Sequence, residues 1–235
     1  MRVALSPAQR RGLSVGVATG LYGISFGALA VAAGLTVGQA CVLSLLMFTG
    51  GSQFAFVGVV GGGGALASAT AAASLLGVRN AIYGVTANAM LRPSGWRRFA
   101  AAHLTIDESI ATASAAEDPV EERRGFWAGG VAVFVLWNLF TLVGALLGDA
   151  LGDPKAWGLD GAAVAAFLGL LWPRLRGRDP IAIAMVSAVV TVAVAPFVPA
   201  GIPIIVAAGV AVAMTLAQHR GASTAAPDVD RSAPR

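Results

Sequence analysis

Between Gly12 and Leu91 this chain carries one charged residue, Arg79. A guanidinium presents a planar fork of donors that matches a carboxylate bidentately, and it stays protonated in proteins. Tyr83 and Thr86 follow at i+4 and i+7 and share a helical face with Arg79, while Asn80 stands next to it. That face suits an anionic ligand; a structural arginine held by backbone carbonyls would use the same residues. A second cluster lies upstream, in Phe48-Thr49-Gly50-Gly51-Ser52-Gln53-Phe54. Paired glycines weaken a helix, and an interrupted helix turns N–H groups and a positive dipole end toward an anion. Gly50, Gly51, Ser52 and Gln53 are therefore candidate substrate contacts, with a local kink as the alternative. Downstream come Asp107 and Glu108, with His103 four residues before Asp107. Within a membrane such carboxyl groups can load and release protons. On a solvated amphipathic helix at the inner surface they would not. Asn138, next to Trp137 and near Thr141, gives a later apolar stretch a polar centre, for interhelical hydrogen bonding or for ligand contact.

Little here suggests an enzyme. No nucleophile elbow, His-Glu-x-x-His pair or Gly-rich nucleotide loop is expected, and the only histidines are His103 and His219. The single Cys41 excludes an intrachain disulfide and a multi-cysteine metal site. Neither metal nor cofactor is expected. The pI near 10.2 reflects arginines clustered between apolar stretches, which reports membrane orientation and not nucleic-acid binding.

These residues need a membrane scaffold to position them. The chain has 235 residues, 57% hydrophobic and 12% charged, against roughly 25% charged in soluble domains. It reads as an all-α polytopic integral membrane protein of about seven apolar segments, one of them broken or re-entrant. The segments run over 14–35, 38–60, 65–91, 125–148, 158–173, 180–198 and 201–218. Ser14 is expected to cap the first, and Asp179-Pro180 to open the sixth. Trp157 and Trp172 flank the fifth, and the sixth and seventh form a hairpin around Pro196, Pro199, Gly201 and Pro203. Residues 1–13 form a cytoplasmic tail with no cleaved signal expected, 14–218 the permease domain, and 219–235 a disordered tail. Within the domain, 93–124 is expected to be an interfacial or cytoplasmic helix followed by a loop.

Arginine bias puts Arg10, Arg11, Arg123, Arg124 and the 174–178 cluster inside, and the acidic 149–160 loop outside. Three full crossings from an inside N-terminus would then leave Arg92, Arg97 and Arg98 outside. The Gly50–Gln53 interruption favours a broken second segment over an extra crossing through 99–118. In the first segment Gly16, Gly20, Gly23, Gly27, Ala30 and Gly34 form a small-residue seam for close helix packing.

Four motifs in this order, Gly23-Ile-Ser-Phe-Gly27, Phe48 through Phe54, Val78-Arg79-Asn80 with Tyr83-Gly84, and Asp107-Glu108, resemble the azaleucine-resistance (AzlC-type) permeases. The resemblance spans about residues 12 to 218. It departs at Tyr22-Gly23, where the family often has a proline, and at Ser109, where a Phe is usual. It implies a bacterial inner-membrane exporter of branched-chain amino acids acting with a small AzlD-type membrane subunit. A zwitterion such as valine then needs a cation or helix N-terminus, an acceptor and an apolar pocket. Arg79 with Gly50–Gln53 would serve the first, Gln53, Tyr83, Asn80 or Asn138 the polar contacts, and Asp107 or Glu108 proton coupling. A channel for a small anionic or zwitterionic solute and a structural membrane subunit remain as alternatives, and a homo-oligomer is left open.

Overall fold

A computed structural model describes residues 4–151 and 175–224, with isolated positions 156, 168, 171 and 172 between them. Among the described residues the regular elements are all helical. Helix α1 (Pro7–Ala32) opens on a capping box: Ser6 Oγ accepts from Gln9 N–H at 3.3 Å, and Gln9 Oε1 accepts from Ser6 N–H at 2.9 Å. Pro7, lacking an N–H, fits the first position. Ser14, the expected cap, lies inside this helix. The spacing Gly-x-Ser-x-Gly does occur, at 12–16 and 23–27, but both copies run within unbroken α1. No strand-to-helix elbow forms there.

The glycine seam is a packing seam. A Cβ on Gly12 would lie 2.6 Å from the backbone nitrogen of Gly129, one on Gly20 2.6 Å from Leu136 Cβ, and one on Gly23 2.6 Å from the Trp137 carbonyl. Contacts therefore advance in the same direction along α1 and along α7 (Pro119–Leu151), and the two helices run parallel. Only glycine permits backbones this close. Asp118 caps α7, its Oδ1 accepting from Val120 and Glu121 N–H at 2.9 Å each. The shared start is tied by Ala8 N–H to Glu121 Oε2 at 3.2 Å and by Arg11 Nη1 to the Ala115 carbonyl at 2.6 Å.

Residues 38–60 do not make one crossing. Helix α2 (Val37–Leu46) starts on a Thr36–Gln39 capping box, and α3 covers Gly51–Gly61. Between them Thr49 N–H turns back to the Met47 carbonyl at 2.8 Å, and Gly50 takes φ +54°, open to a residue without Cβ. Helices of 10 and 11 residues each rise about 15 Å, half of a hydrocarbon core of about 30 Å. A Cβ on Gly61, at the end of α3, would lie 3.1 Å from Ala33 Cβ, at the end of α1. The α2–α3 pair thus returns to the end of the bundle it left.

Helix α4 (Leu66–Leu91) carries the chain to the opposite end. The 93–124 stretch then holds two short helices, α5 (Arg97–His103) and α6 (Asp107–Ser114), around an unwound Leu104–Ile106. A Cβ on Gly130 would touch Leu104 Cβ at 3.2 Å, and one on Gly125 the Thr112 carbonyl at 2.7 Å, so α6 runs back along α7 toward the shared start of α1 and α7. A long helix of 26 residues followed by a broken hairpin occurs twice, α1 with α2–α3 and α4 with α5–α6, in opposite directions. Because α2–α3 folds back, α4 brings Arg92, Arg97 and Arg98 to the end that holds Arg10, Arg11, Arg123 and Arg124. The arginine conflict disappears.

Helix α8 (Arg178–Val194) starts with Gly177 at φ +100° and no side-chain cap; Asp179 sits inside its first turn, where its charge suits the dipole. A 3₁₀ turn at Ala195–Phe197 leads to α9 (Ile202–Thr224), and Ser187 Oγ donates to the Ala207 carbonyl at 3.5 Å across the hairpin. Helix α9 thus continues past residue 218. The fifth apolar segment (158–173), most of the 149–160 loop and residues 225–235 fall almost entirely outside the described residues. Three described helices are long and apolar enough to cross a membrane, Pro7–Ala32, Pro119–Ala150 and Arg178–Phe197, with shorter apolar helices at Val37–Leu46, Gly51–Gly61 and Ile202–Gln218. A helical membrane protein follows, but the count of seven segments is not supported.

Candidate functional site

The two breaks face each other, and α4 fastens both. Arg79 Nη1 pairs with Asp107 Oδ2 at 2.9 Å, and its Nη2 donates to the Thr49 carbonyl at 3.4 Å. The next residue, Asn80, donates through Nδ2 to the Thr105 carbonyl at 3.2 Å. One point on α4 thus satisfies a carbonyl from each interruption, groups that unwinding would otherwise strand. The ion pair is neither exposed nor sealed, its side chains being 28% and 18% accessible.

Beside it lies a cavity of about 270 Å³. Its polar part is Arg79, Asp107, Glu108, Thr49 and the Gly50–Gly51 turn; Phe48, Phe54, Ile106, Val133 and Trp137 make its apolar part. The aromatic side is rigid, with Phe54 edge-on to Phe26 at 5.6 Å and to Trp137 at 6.1 Å. Among the described residues, Arg79 Nε, Thr49 Oγ1 and the indole Nε1 of Trp137, a residue only 4% exposed, are buried without a hydrogen-bond partner. The start of α3 adds more of the same sign. Gly50 offers no side-chain cap and the first turn of α3 has no acid, so this N-terminus presents uncapped amides. By contrast α6 carries Asp107 and Glu108 in its own first turn.

The family model described as AzlC protein matches residues 14–151. The chain belongs to the AzlC family. Comparison with curated proteins returned no match, and comparison with solved structures returned none. Membership makes this a membrane protein of a transport-associated family, and the matched region contains both broken hairpins, α4 and α7.

Of the residues expected at the AzlC-type site, Arg79, Gly50, Gly51, Asp107 and Glu108 line one cavity. Ser52 and Gln53 stand behind it, both fully buried in α3, with Ser52 set against Gly77 of α4. Asn80 serves as the tether to Thr105, and Tyr83 lies a turn beyond, outside the lining. Asn138 donates to the Phe134 carbonyl of its own helix at 2.8 Å, so it is no lining residue either. His103 and Asp107 do not share a helical face, because the chain unwinds between them. The His103 ring instead meets Phe48 at 5.9 Å and Phe134 at 5.5 Å. Sequence reasoning missed Thr19 and Tyr22 of α1, which also line the cavity. Their i, i+3 spacing beside the glycine seam was the available signal.

Proposed function

We infer that this chain is a secondary transporter exporting branched-chain or other small neutral amino acids, valine- or leucine-like, across the bacterial inner membrane. The observation that carries the reading is a cavity that sets the Arg79 guanidinium, Asp107 and the start of α3 against apolar walls. A carboxylate fits the Arg79 guanidinium and the uncapped start of α3, the arrangement interrupted helices use for anionic groups. What α6 supplies to its own N-terminus with Asp107, α3 takes from a ligand. A volume of about 270 Å³ falls just below the roughly 300–1,000 Å³ of pockets for drug-sized ligands, which suits a small solute with a short aliphatic side chain. On this reading Glu108 is the proton-coupling group, and the arginine-rich end, with the N-terminus, faces the cytoplasm. A small AzlD-type subunit acts alongside it, and the inverted pair of hairpins supplies the two-sided access a multi-pass carrier needs.

Counterflow of labelled valine in proteoliposomes, with and without an AzlD-type subunit, tests this. Saturable exchange that Arg79→Lys abolishes supports the carrier; rapid uncoupled flux means a channel, and no flux with intact complex formation means a structural subunit.

A further inference from the structure

Resting on the reading of this cavity as the substrate site, we propose that the zwitterion inserts in series into the Arg79–Asp107 ion pair, its carboxylate taking the guanidinium and its ammonium taking Asp107. The starting geometry is one charge-assisted contact of 2.9 Å at the edge of the cavity, with both partners lining it. Arg79 Nε is buried without a hydrogen-bond partner among the described residues, so the guanidinium has a donor not committed to Asp107 or Thr49. Asp107 is the first residue of α6, next to the unwound Leu104–Ile106, and lines the cavity.

Insertion keeps every charge paired. With Glu108, which also lines the cavity, in its proton-loaded form, one cation faces one anion before binding; afterwards two such contacts stand end to end, and the net charge of the cavity is unchanged. A monocarboxylate of the same shape would take Arg79 from Asp107 and give it no ammonium in exchange. A monoamine would take Asp107 and strand Arg79. In a poorly hydrated cavity an uncompensated charge is strongly penalised, so the pair rejects both analogues while accepting the zwitterion. Specificity for amino acids over their deaminated and decarboxylated counterparts then resides in these two residues. Glu108, on the same turn, is not part of the exchange.

The test measures binding of labelled valine, isovalerate and isobutylamine to purified full-length protein in nanodiscs. The parent protein should bind valine and neither analogue. Asp107→Asn should gain isovalerate binding by about tenfold or more and lose its preference for valine. Arg79→Gln should gain isobutylamine in the same way, which keeps the idea open to refutation if the first variant does not fold. Asp149→Asn, at an exposed acid outside the cavity, should leave the ranking of the three ligands as it was. The inference is overturned if neither variant changes the ranking, or if Asp149→Asn produces the isovalerate gain as well. Absence of valine binding to the parent protein would instead refute the transporter reading on which the proposal rests.

Discussion

Replacing Arg79 by Lys keeps the charge and removes the fork. In the structure the guanidinium serves two directions at once, Asp107 through Nη1 at 2.9 Å and the Thr49 carbonyl through Nη2 at 3.4 Å, with Nε unpartnered among the described residues. An ammonium is a single centre on a flexible stem. It can follow Asp107 or a substrate carboxylate, but it cannot hold a carboxylate by two donors while retaining the Thr49 tether. The lost element is one charge-assisted hydrogen bond to the substrate, about 1.5–3 kcal/mol. With 1.4 kcal/mol per factor of ten, affinity falls by about 10- to 150-fold. The Thr49 contact is long and adds little. Arg79→Ala loses the same interaction and also removes the ion pair to Asp107, whose side chain is mostly buried, so it should unfold at lower temperature as well. Counterflow of labelled valine at matched protein density reads the first effect, and thermal unfolding of the purified variants reads the second. Both should be nearly inactive, with only the Ala variant clearly less stable. Export by Arg79→Lys within twofold of the parent would refute the bidentate argument and reduce Arg79 to a point charge.

Three more outcomes are expected. A Cβ on Gly27 would meet the Thr141 carbonyl and the backbone of α7, whereas Gly84 has open space; Gly27→Ala should therefore cost about 1–3 kcal/mol by overpacking, and Gly84→Ala should be neutral or mildly stabilising, both read by thermal unfolding. Glu108→Gln should abolish uphill accumulation driven by a proton gradient while sparing valine–valine exchange; wild-type accumulation with unchanged pH dependence would place the coupling group elsewhere. In a Cys41→Ala background, single cysteines at 95, 121 and 176 should label from the cytoplasmic side and one at 153 from outside; external labelling at 95 would contradict the folding back of α2–α3.

The helical membrane class was legible because an uncharged run from Gly12 to Val78 has no soluble explanation. The break at Gly50 was legible too, since adjacent glycines beside polar residues violate helix propensity in the middle of an apolar run. The second break was not. Leu104-Thr105-Ile106 contains no Gly or Pro, and its interruption is sustained from outside, by Asn80 and by packing on α7 around Gly130. Local propensity carries no trace of such tertiary support. The start of α1 was placed at Ser14 because Arg10 and Arg11 looked like the edge of the apolar segment. The Ser6–Gln9 box shows that a helix can begin well before its apolar part does. Arg79 was identifiable by charge alone, but its partner was not. A spacing argument joined Asp107 to His103, while the actual pairing spans the gap between α4 and α6.

The repeat of a long helix and a broken hairpin also locates the functional asymmetry. In the first copy the hairpin turns on Thr49-Gly50-Gly51, and α3 starts with no acid and no side-chain cap. In the second it turns on Leu104–Ile106, and α6 starts with Asp107 and Glu108. One half-helix therefore offers uncompensated positive charge and the other carries negative side chains, across a cavity crossed by Arg79. Two identical halves would give either a site for an anion or a site for a cation. Unequal halves give a site with two poles, and a dipolar solute is what such a site can hold without leaving a charge unpaired. The same clasp limits how the halves can move. Arg79 and Asn80 are adjacent on one helix and bind both turns, so displacing either hairpin strains a contact at that point. On the proposed function this would couple binding to opening through α4, and a substitution there should alter affinity and exchange rate together.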